Sequence, residues 1–210
     1  ENSYVIQGSG VDLNYFNNKT LRQKYHNPIQ ILFPARIIRQ KGFIELFETC
    51  KSLWDEGYDF KLNIAGEIDN NNQSSLSAKE IEAISIYKNI NFYGKIDDMK
   101  SIYLKNDIVI LPSWREGLSK SLIESAAMSL PIITSNVPGC KEIIEHDKSG
   151  ILIPLKNKSS LKKAIIKLLE NPKLGQKYGA KGLEIASKNF EVGYINNQIF
   201  EIYKETLSED

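Results

Sequence analysis

The stretch IVILPSWREGLSKSLIESAA, residues 108–127, predicts a buried strand that turns at Gly117 and leads into a helix rich in Ala and Leu. Glu116 and Glu124 lie on either side of the expected helix N-terminus. The backbone N–H groups and the positive end of the helix dipole between them favour a diphosphate, and carboxylates accept hydrogen bonds from hydroxyl groups. The pattern suits a ligand with hydroxyls on both sides of a diphosphate, such as a sugar nucleotide. Taken alone, two glutamates at this spacing more often belong to a turn and a solvated helix face.

On both sides of this stretch, short β-branched runs alternate with helical patterns, as in parallel sheets built from β-α-β units. The predicted strands are Tyr4–Gln7, Gln30–Ala35, Lys61–Ala65, Ile90–Tyr93, Ile108–Leu111, Ile132–Ser135 and Ile151–Pro154. The predicted helices are Gly42–Glu56, Ser77–Lys88, Met99–Lys105, Leu118–Met128, Lys141–His146, Ser159–Glu170, Pro172–Ser187 and Val192–Leu207. We expect an α/β fold: a Rossmann-like, doubly wound parallel sheet with helices on both faces and a C-terminal helical tail.

Composition restricts the class of protein. The chain has 210 residues, of which 41% are hydrophobic and 25% charged, enough for one sizeable globular domain. Its net charge of +1 gives no bulk attraction to nucleic acid, which we do not expect as a partner. No apolar run reaches the ~18 residues of a membrane-spanning helix, and no signal peptide is recognisable. Because the chain opens with ENSYVI, which resembles a strand, we expect a piece of a longer polypeptide.

The cysteines and histidines offer no chemistry of their own. Cys50 and Cys140 lie far apart and lack metal-ligand spacing, so we expect reduced thiols in a cytoplasmic protein, with a disulfide left open. His26 and His146 occur in polar stretches, and we expect both at the surface. No set of metal ligands is visible in the sequence.

Polar and glycine residues follow the other predicted strands, at the edge where such sheets bind ligands. Arg36 and Lys41 could converge on one anion, the first as a planar fork and the second as a compact charge, or could be solvated loop cations. Gly66 could let the backbone approach a ligand closely, or could simply end its strand. The main chain around Ile96 could pair with a flat base.

A series of motifs runs in a fixed order along nearly the whole chain. It comprises Gly10-Val11-Asp12, Arg36 with Lys41-Gly42, Gly66, Gly94, Pro112-Ser113-x-x-Glu116-Gly117 through Glu124, Ala127-x-x-x-Pro131, Gly139-x-x-Glu142 and Gly150. This series resembles the C-terminal domain of the large retaining glycosyltransferase family 4, which has the GT-B fold. It is most similar to the branch that builds bacterial capsule, lipopolysaccharide and protein glycans.

The resemblance implies a role for each matched side chain. Arg36 and Lys41 would bind the donor diphosphate and neutralise the departing nucleoside diphosphate. Glu116 would accept hydrogen bonds from hydroxyls of the donor sugar, and Glu124 would bind the ribose. With Arg36 and Lys41, Glu116 would make up the catalytic group. These cations would stand in for a metal, so neither a metal nor another cofactor is expected beside the nucleoside-diphosphate sugar, a UDP-sugar by default.

Main-chain groups would complete the implied site. Ile96 would contact the base, and the backbone at Gly66 would approach the donor. The amides that would line the sugar and phosphates belong to Gly117, Leu118, Ser119 and Lys120. Family members often carry Gly-Phe-Gly or Gly-Phe-Pro where this chain has Gly117-Leu118-Ser119, which leaves the shape of the sugar pocket open. The Lys120 side chain could touch phosphate or face water.

The resemblance also implies what surrounds the chain. Residues 1–210 would form a single nucleotide-sugar-binding domain, and the acceptor would bind an N-terminal domain that this sequence lacks, leaving the isolated domain inactive. The sugar transferred would be a hexose or an N-acetylhexosamine, and the acceptor a glycan or a lipid-linked molecule. The reaction would occur in the cytoplasm, or at the inner face of the plasma membrane if the longer protein associates peripherally with it. Two alternatives stay open: a sugar-nucleotide epimerase of related fold and a non-catalytic nucleotide-binding module.

Overall fold

Six parallel strands form one sheet at the centre of the computed structural model, which describes residues 8, 10–17, 25–69 and 72–208. The spatial order of the strands is β3-β2-β1-β4-β5-β6, and neighbouring strands run parallel throughout. In chain order the strands are β1 Ile29–Phe33, β2 Phe60–Ala65, β3 Ile90–Gly94, β4 Ile108–Leu111, β5 Ile132–Ser135 and β6 Gly150–Ile153.

Helices connect these strands and cover both faces of the sheet. In the described part of the chain they are α1 Phe43–Asp55, α2 Ala78–Ser85, α3 Met99–Leu104, α4 Lys120–Ala127, α5 Lys158–Glu170, α6 Pro172–Asn189 and α7 Val192–Ser208. The central strand β4 is a continuous apolar run because both of its faces are covered, and its side chains are buried along its whole length. Each such aliphatic side chain contributes roughly 1.5–3 kcal/mol through burial.

The winding of the sheet creates a crevice. From β1 the chain moves outwards to β2 and β3, then returns to place β4 on the other side of β1 and continues to β5 and β6. The loops that follow β1 and β4 therefore lie at the carboxyl ends of adjacent strands where the winding reverses, which is the position where open α/β sheets bind ligands.

The C-terminal part of the chain is helical, as predicted. Helix α6 packs closely against the end of α4, because Gly179 has no side chain: a Cβ there would lie 2.0 Å from the Ser129 carbonyl oxygen. The chain then passes the start of the described fold, where the Val11 amide donates to the Phe190 carbonyl at 2.7 Å. The glycines that interrupt the helical pattern of the sequence thus serve helix packing.

Most sequence predictions of elements are confirmed. Six predicted strands are present with ends within two residues, and seven predicted helices with ends within three residues. The predicted strand Tyr4–Gln7 lies outside the described residues. Cys50 and Cys140 are buried free thiols.

One predicted helix, Lys141–His146, is wrong: the chain forms a series of turns there. The amides of Cys140 and Lys141 both donate to the Val137 carbonyl, and His146 then forms a bridge with Gly150. Buried Cys140, Ile143 and Ile144 have the spacing of a helix face, but turns place them in the core equally well. The helix predicted from Leu118 begins instead at Lys120, because its N-cap Ser119 is extended, with φ −77 and ψ 100.

Candidate functional site

Two loops meet at the crevice between β1 and β4. A short 3₁₀ turn, Arg39–Lys41, follows β1, and Gly42 then starts α1 with a left-handed φ of 74. A Cβ at Gly42 would lie 2.1 Å from the Pro112 carbonyl oxygen, so only glycine allows this approach. The Gln40 carbonyl accepts a hydrogen bond from the Trp114 amide at 2.8 Å. The loop after β1 is thereby fixed against the loop after β4.

This contact brings Lys41 to Glu116. The Lys41 Nζ lies 2.6 Å from Glu116 Oε1 and 2.8 Å from Oε2, and both side chains are largely buried, at 20% and 10% exposed. Two groups for which the sequence predicted separate partners therefore form one charge-assisted pair.

Arg36 lies at the same edge but is paired differently. Its Nη1 donates to Asp69, which follows β2, and the Arg36 side chain remains 52% exposed. The guanidinium therefore keeps donors that face solvent beside the Lys41–Glu116 pair.

A cavity of about 460 Å³ joins these groups. Of the residues that the sequence singled out, Arg36, Lys41, Glu116 and Gly117 line it together. The sequence reasoning missed four further lining residues, Ile38, Gln40, Asn72 and Arg115. Of these, Arg115 is the exposed neighbour of Glu116, a position that could have been suspected from the sequence. Asn72 lies in a polar run that predicted only a loop.

The loop after β5 supports the turn at Gly117 from behind. Gly139 has a φ of 81, and a Cβ there would lie 2.2 Å from the Gly117 carbonyl oxygen. The Gly139 amide donates to Glu142 Oε2 at 2.7 Å, and the Gly139 carbonyl accepts from the Ser119 amide at 3.1 Å. The Ser119 amide is thus engaged within the protein, unlike the expectation that it faces a ligand.

Helix α4 starts beside this turn without a side-chain cap from Ser119. The Lys120 side chain is exposed, and its Nζ lies 3.8 Å from Glu124 Oε1, one turn along the helix. The Lys120 side chain therefore faces water, one of the two possibilities left open, and also makes a weak i,i+4 pair.

Glu124, on α4, is not among the residues that line the 460 Å³ cavity. The residue is only 7% exposed, and its Oε2 accepts a hydrogen bond from the Tyr103 hydroxyl at 3.0 Å. Burial raises the pKa of the Glu124 carboxyl, and the hydrogen bond from Tyr103 opposes that rise. A buried carboxylate with one satisfied oxygen is suited to accept hydrogen bonds from a ligand.

The two remaining predicted positions lie at the ends of β2 and β3. Gly66 allows close packing, because a Cβ there would lie 1.9 Å from the Ala35 carbonyl oxygen, and it bridges to Gly94. Ile96 follows Gly94, whose φ is 67, and packs half-buried against the core. The close approach of the Ala35 carbonyl thus requires glycine at position 66. The Ile96 main chain lies in the loop after β3.

The histidines are at the surface, as predicted. The Nδ1 of His26 lies 2.9 Å from Asp107 Oδ1, and that of His146 accepts a hydrogen bond from the Leu152 amide at 3.0 Å. Among the described residues, no group of three or more His, Cys, Asp or Glu side chains is arranged to hold a metal ion. None of the helices in those residues is both long enough and apolar enough to cross a membrane.

A parallel sheet with a polar crevice at its switch point defines a Rossmann-like domain. Residues 16–184 match the model of the family described as glycosyl transferases group 1, and the chain belongs to that family. It is 25% identical over 219 residues to the capsular polysaccharide biosynthesis glycosyltransferase CapM of Staphylococcus aureus, an alignment covering 100% of this chain and 57% of CapM.

Two further comparisons concern a relative in sequence and a solved structure of the same fold. The chain is 31% identical over 181 residues to the N,N'-diacetylbacillosaminyl-diphospho-undecaprenol alpha-1,3-N-acetylgalactosaminyltransferase of Campylobacter jejuni, covering 81% of this chain and 46% of that protein. The crystal structure of Anabaena HepE in complex with UDP-glucose has the same fold, with a TM-score of 0.80 and 20% identity over 93% of this chain and 56% of HepE. The chain spans about half the length of these proteins.

Proposed function

We propose that this chain is the C-terminal, donor-binding domain of a retaining glycosyltransferase of family 4. Residues 1–210 would form that single domain. The observation that carries the proposal is the convergence of Arg36, Lys41, Glu116 and Gly117 on one cavity at the switch point of the sheet. Membership of the glycosyl transferases group 1 family supports it.

The donor would be a nucleoside-diphosphate sugar, and UDP is the first choice of nucleotide. HepE, which has the same fold, was solved with UDP-glucose. The names of the relatives favour a polysaccharide or lipid-linked acceptor: one acts in capsule biosynthesis and another transfers N-acetylgalactosamine to a diphospho-undecaprenol-linked sugar. Transfer of a hexose and transfer of an N-acetylhexosamine are both consistent with these relatives. The reaction would take place in the cytoplasm, at the inner face of the plasma membrane for a lipid-linked acceptor.

Arg36 and Lys41 would receive the charge that develops on the diphosphate when the glycosyl–phosphate bond breaks. The exposed Arg36 guanidinium would bind the diphosphate directly, and Lys41 would share its charge between the phosphate and Glu116. Such preorganised charges, with the N-terminus of α4 beside them, can supply several kcal/mol of transition-state stabilisation. We propose that these groups act without a metal.

Glu116 and Glu124 would bind the two hydroxyl-bearing ends of the donor. Glu116, held by Lys41, would accept from hydroxyls of the sugar, and Glu124 from the ribose. The main chain at Gly117, Leu118 and Lys120 would line the sugar and phosphates, and Ile96 would contact the base. The acceptor would be held by an N-terminal domain, so turnover would require the longer protein.

The division of labour between the glutamates gives a direct test. Glu116→Gln should leave the dissociation constant of UDP nearly unchanged and weaken a UDP-sugar about tenfold, since one charge-assisted bond to the sugar is lost. Glu48→Gln is a matched control, because Glu48 also forms a carboxylate–lysine pair, with Lys158 at 2.8 Å between α1 and α5, and does not line the cavity. Equal weakening of both ligands by Glu116→Gln, measured by isothermal titration, would remove Glu116 from the sugar site.

A further inference from the structure

Tyr103, near the end of α3, is a large side chain that is completely buried. Its hydroxyl lies 3.0 Å from Glu124 Oε2 and 3.2 Å from the Ser121 carbonyl oxygen, both on the α4 side of the crevice. The hydroxyl has one proton to donate, and the charged and nearer carboxylate is the stronger acceptor. Tyr103 thus links α3 to a carboxylate that is almost fully removed from solvent.

Few charged or titratable groups compete for the Glu124 carboxylate. Lys120, on the same helix, reaches Oε1 only at 3.8 Å and is 68% exposed, so solvent screens that pair. The hydroxyl of Tyr15, from the segment before β1, donates instead to Asp98 at 2.7 Å; that hydrogen bond is the main cause of the raised pKa of the Tyr15 phenol, to which the Glu124 charge adds. The hydrogen bond from Tyr103 therefore fixes Oε2 in place, and Oε1 is left on the side of the exposed Lys120.

We propose that Tyr103 is a positioning residue that orients the Glu124 carboxylate so that Oε1 can accept hydrogen bonds from the ribose of the donor. The inference rests on the proposed function for the role of Glu124. The physical reason is that a buried carboxylate that loses the donor on one oxygen turns towards solvent or takes up a proton, and either change weakens it as an acceptor for the ribose hydroxyls. Tyr103 itself is covered by protein and would not touch the ligand.

The hydrogen bond also supports the ionised form of Glu124. Burial raises the pKa of this carboxyl, whereas Tyr103 and Lys120 lower it. Loss of the Tyr103 hydroxyl alone should therefore raise the pKa further. A purely structural role for the ring would not produce this effect, because phenylalanine retains the ring.

The test compares Tyr103→Phe with Tyr178→Phe. Tyr178, on α6, is a matched control. It is also buried, and its hydroxyl donates to Asp147 at 2.9 Å, away from the crevice. Without ligand, ¹³C NMR titration of the Glu124 carboxyl should give a higher pKa in Tyr103→Phe than in wild type and no shift in Tyr178→Phe. An unchanged Glu124 pKa in Tyr103→Phe would overturn the inference whether or not the chain binds nucleotide.

Isothermal titration with UDP supplies the second readout. Tyr103→Phe should weaken the affinity for UDP roughly 3- to 10-fold at pH 8, which is the contribution of one hydrogen bond. As pH is lowered, the affinity of Tyr103→Phe should begin to fall at a higher pH than that of wild type, because its Glu124 takes up a proton earlier. If wild type binds UDP and Tyr103→Phe binds it equally well at every pH, the positioning role is wrong and the proposed function stands. If wild type does not bind UDP, the proposed function fails, and the NMR titration still decides whether Tyr103 holds Glu124.

Glu124→Asp provides an independent variant should Tyr103→Phe fold poorly. It keeps the charge but withdraws the carboxylate by one methylene from the Tyr103 hydroxyl. The affinity for UDP should fall as in Tyr103→Phe, and unchanged affinity would overturn the inference.

Discussion

The Nζ of Lys41 lies within 2.8 Å of both carboxylate oxygens of Glu116, across 75 residues of sequence. The two side chains come from the loops after β1 and β4, which are adjacent strands on either side of the reversal in winding. The charges of Lys41 and Glu116 offset each other, whereas Arg36 keeps a guanidinium that is half exposed. A donor diphosphate would therefore bind the Arg36 guanidinium directly, with Lys41 held beside it by Glu116.

The Lys41–Glu116 pair should be energetically coupled. Lys41→Met and Glu116→Gln should each lower the free energy of unfolding by about 1–3 kcal/mol, because each leaves a mostly buried polar partner without its bond. The double variant should lose less than the sum of the two. Urea denaturation of the four proteins measures this, and strictly additive losses would mean that the pair contributes no mutual stabilisation.

Asp69 competes with the ligand for Arg36, so its removal should strengthen binding. Asp69→Asn should tighten UDP roughly 2- to 5-fold at low salt, and the gain should shrink as salt screens it. Asp59→Asn removes the same charge from the other end of β2 and should leave the affinity unchanged. Equal effects of the two variants would point to net charge rather than to Arg36.

The buried, ionised carboxylate of Glu124 should make the fold less stable. Because burial raises its folded-state pKa, ionisation of Glu124 opposes folding; the penalty is absent at low pH and grows as pH rises through that pKa. Glu124→Gln should therefore raise the Tm at pH 8, raise it little at pH 4, and weaken UDP binding. Thermal unfolding across this pH range measures the effect. A lower Tm at pH 8 would contradict it.

Gly139 separates backbone strain from a direct clash at the site. Gly139→Ala and Gly57→Ala both place alanine at a left-handed φ, 81 and 92, but only the first brings a Cβ within 2.2 Å of the Gly117 carbonyl, whereas Gly57 has open space around it. Gly57→Ala should cost about 1–2 kcal/mol from strain, and Gly139→Ala clearly more. Gly139→Ala should also weaken UDP-sugar binding through the displaced Gly117 turn. Equal losses of stability in urea denaturation would argue against the clash.

The strands were predictable because a short run of apolar residues indicates a buried strand without reference to the rest of the chain. The run Ile108–Leu111 is apolar at every position and has the predicted bounds. The turns at Lys141–His146 were not predictable, because Cys140, Ile143 and Ile144 show which side chains are buried but not which hydrogen bonds the backbone makes. Periodicity reports burial, and here turns achieve the same burial as a helix.

The candidate site divides in the same way. Arg36, Lys41 and Glu116 stood out because they follow predicted strands, and Glu124 because it lies across a predicted helix N-terminus from Glu116. Their roles were implied by the resemblance to a glycosyltransferase family. Their partners did not: Asp69 and Tyr103 lie 33 and 21 residues away in sequence from the groups they bind. Only the tertiary fold brings such partners together, so no local sequence pattern predicts these hydrogen bonds.

The most direct test of the account is isothermal titration of this chain with UDP, alongside GDP and ADP, in wild type, Arg36→Ala and Glu124→Gln. The account predicts saturable binding of one UDP per chain in wild type. Arg36→Ala should weaken that binding by about 1–3 kcal/mol, the worth of a charge-assisted hydrogen bond, and Glu124→Gln should weaken it as well. Absence of nucleotide binding by the folded wild-type chain, or binding that neither substitution alters, would contradict the donor site placed at this crevice.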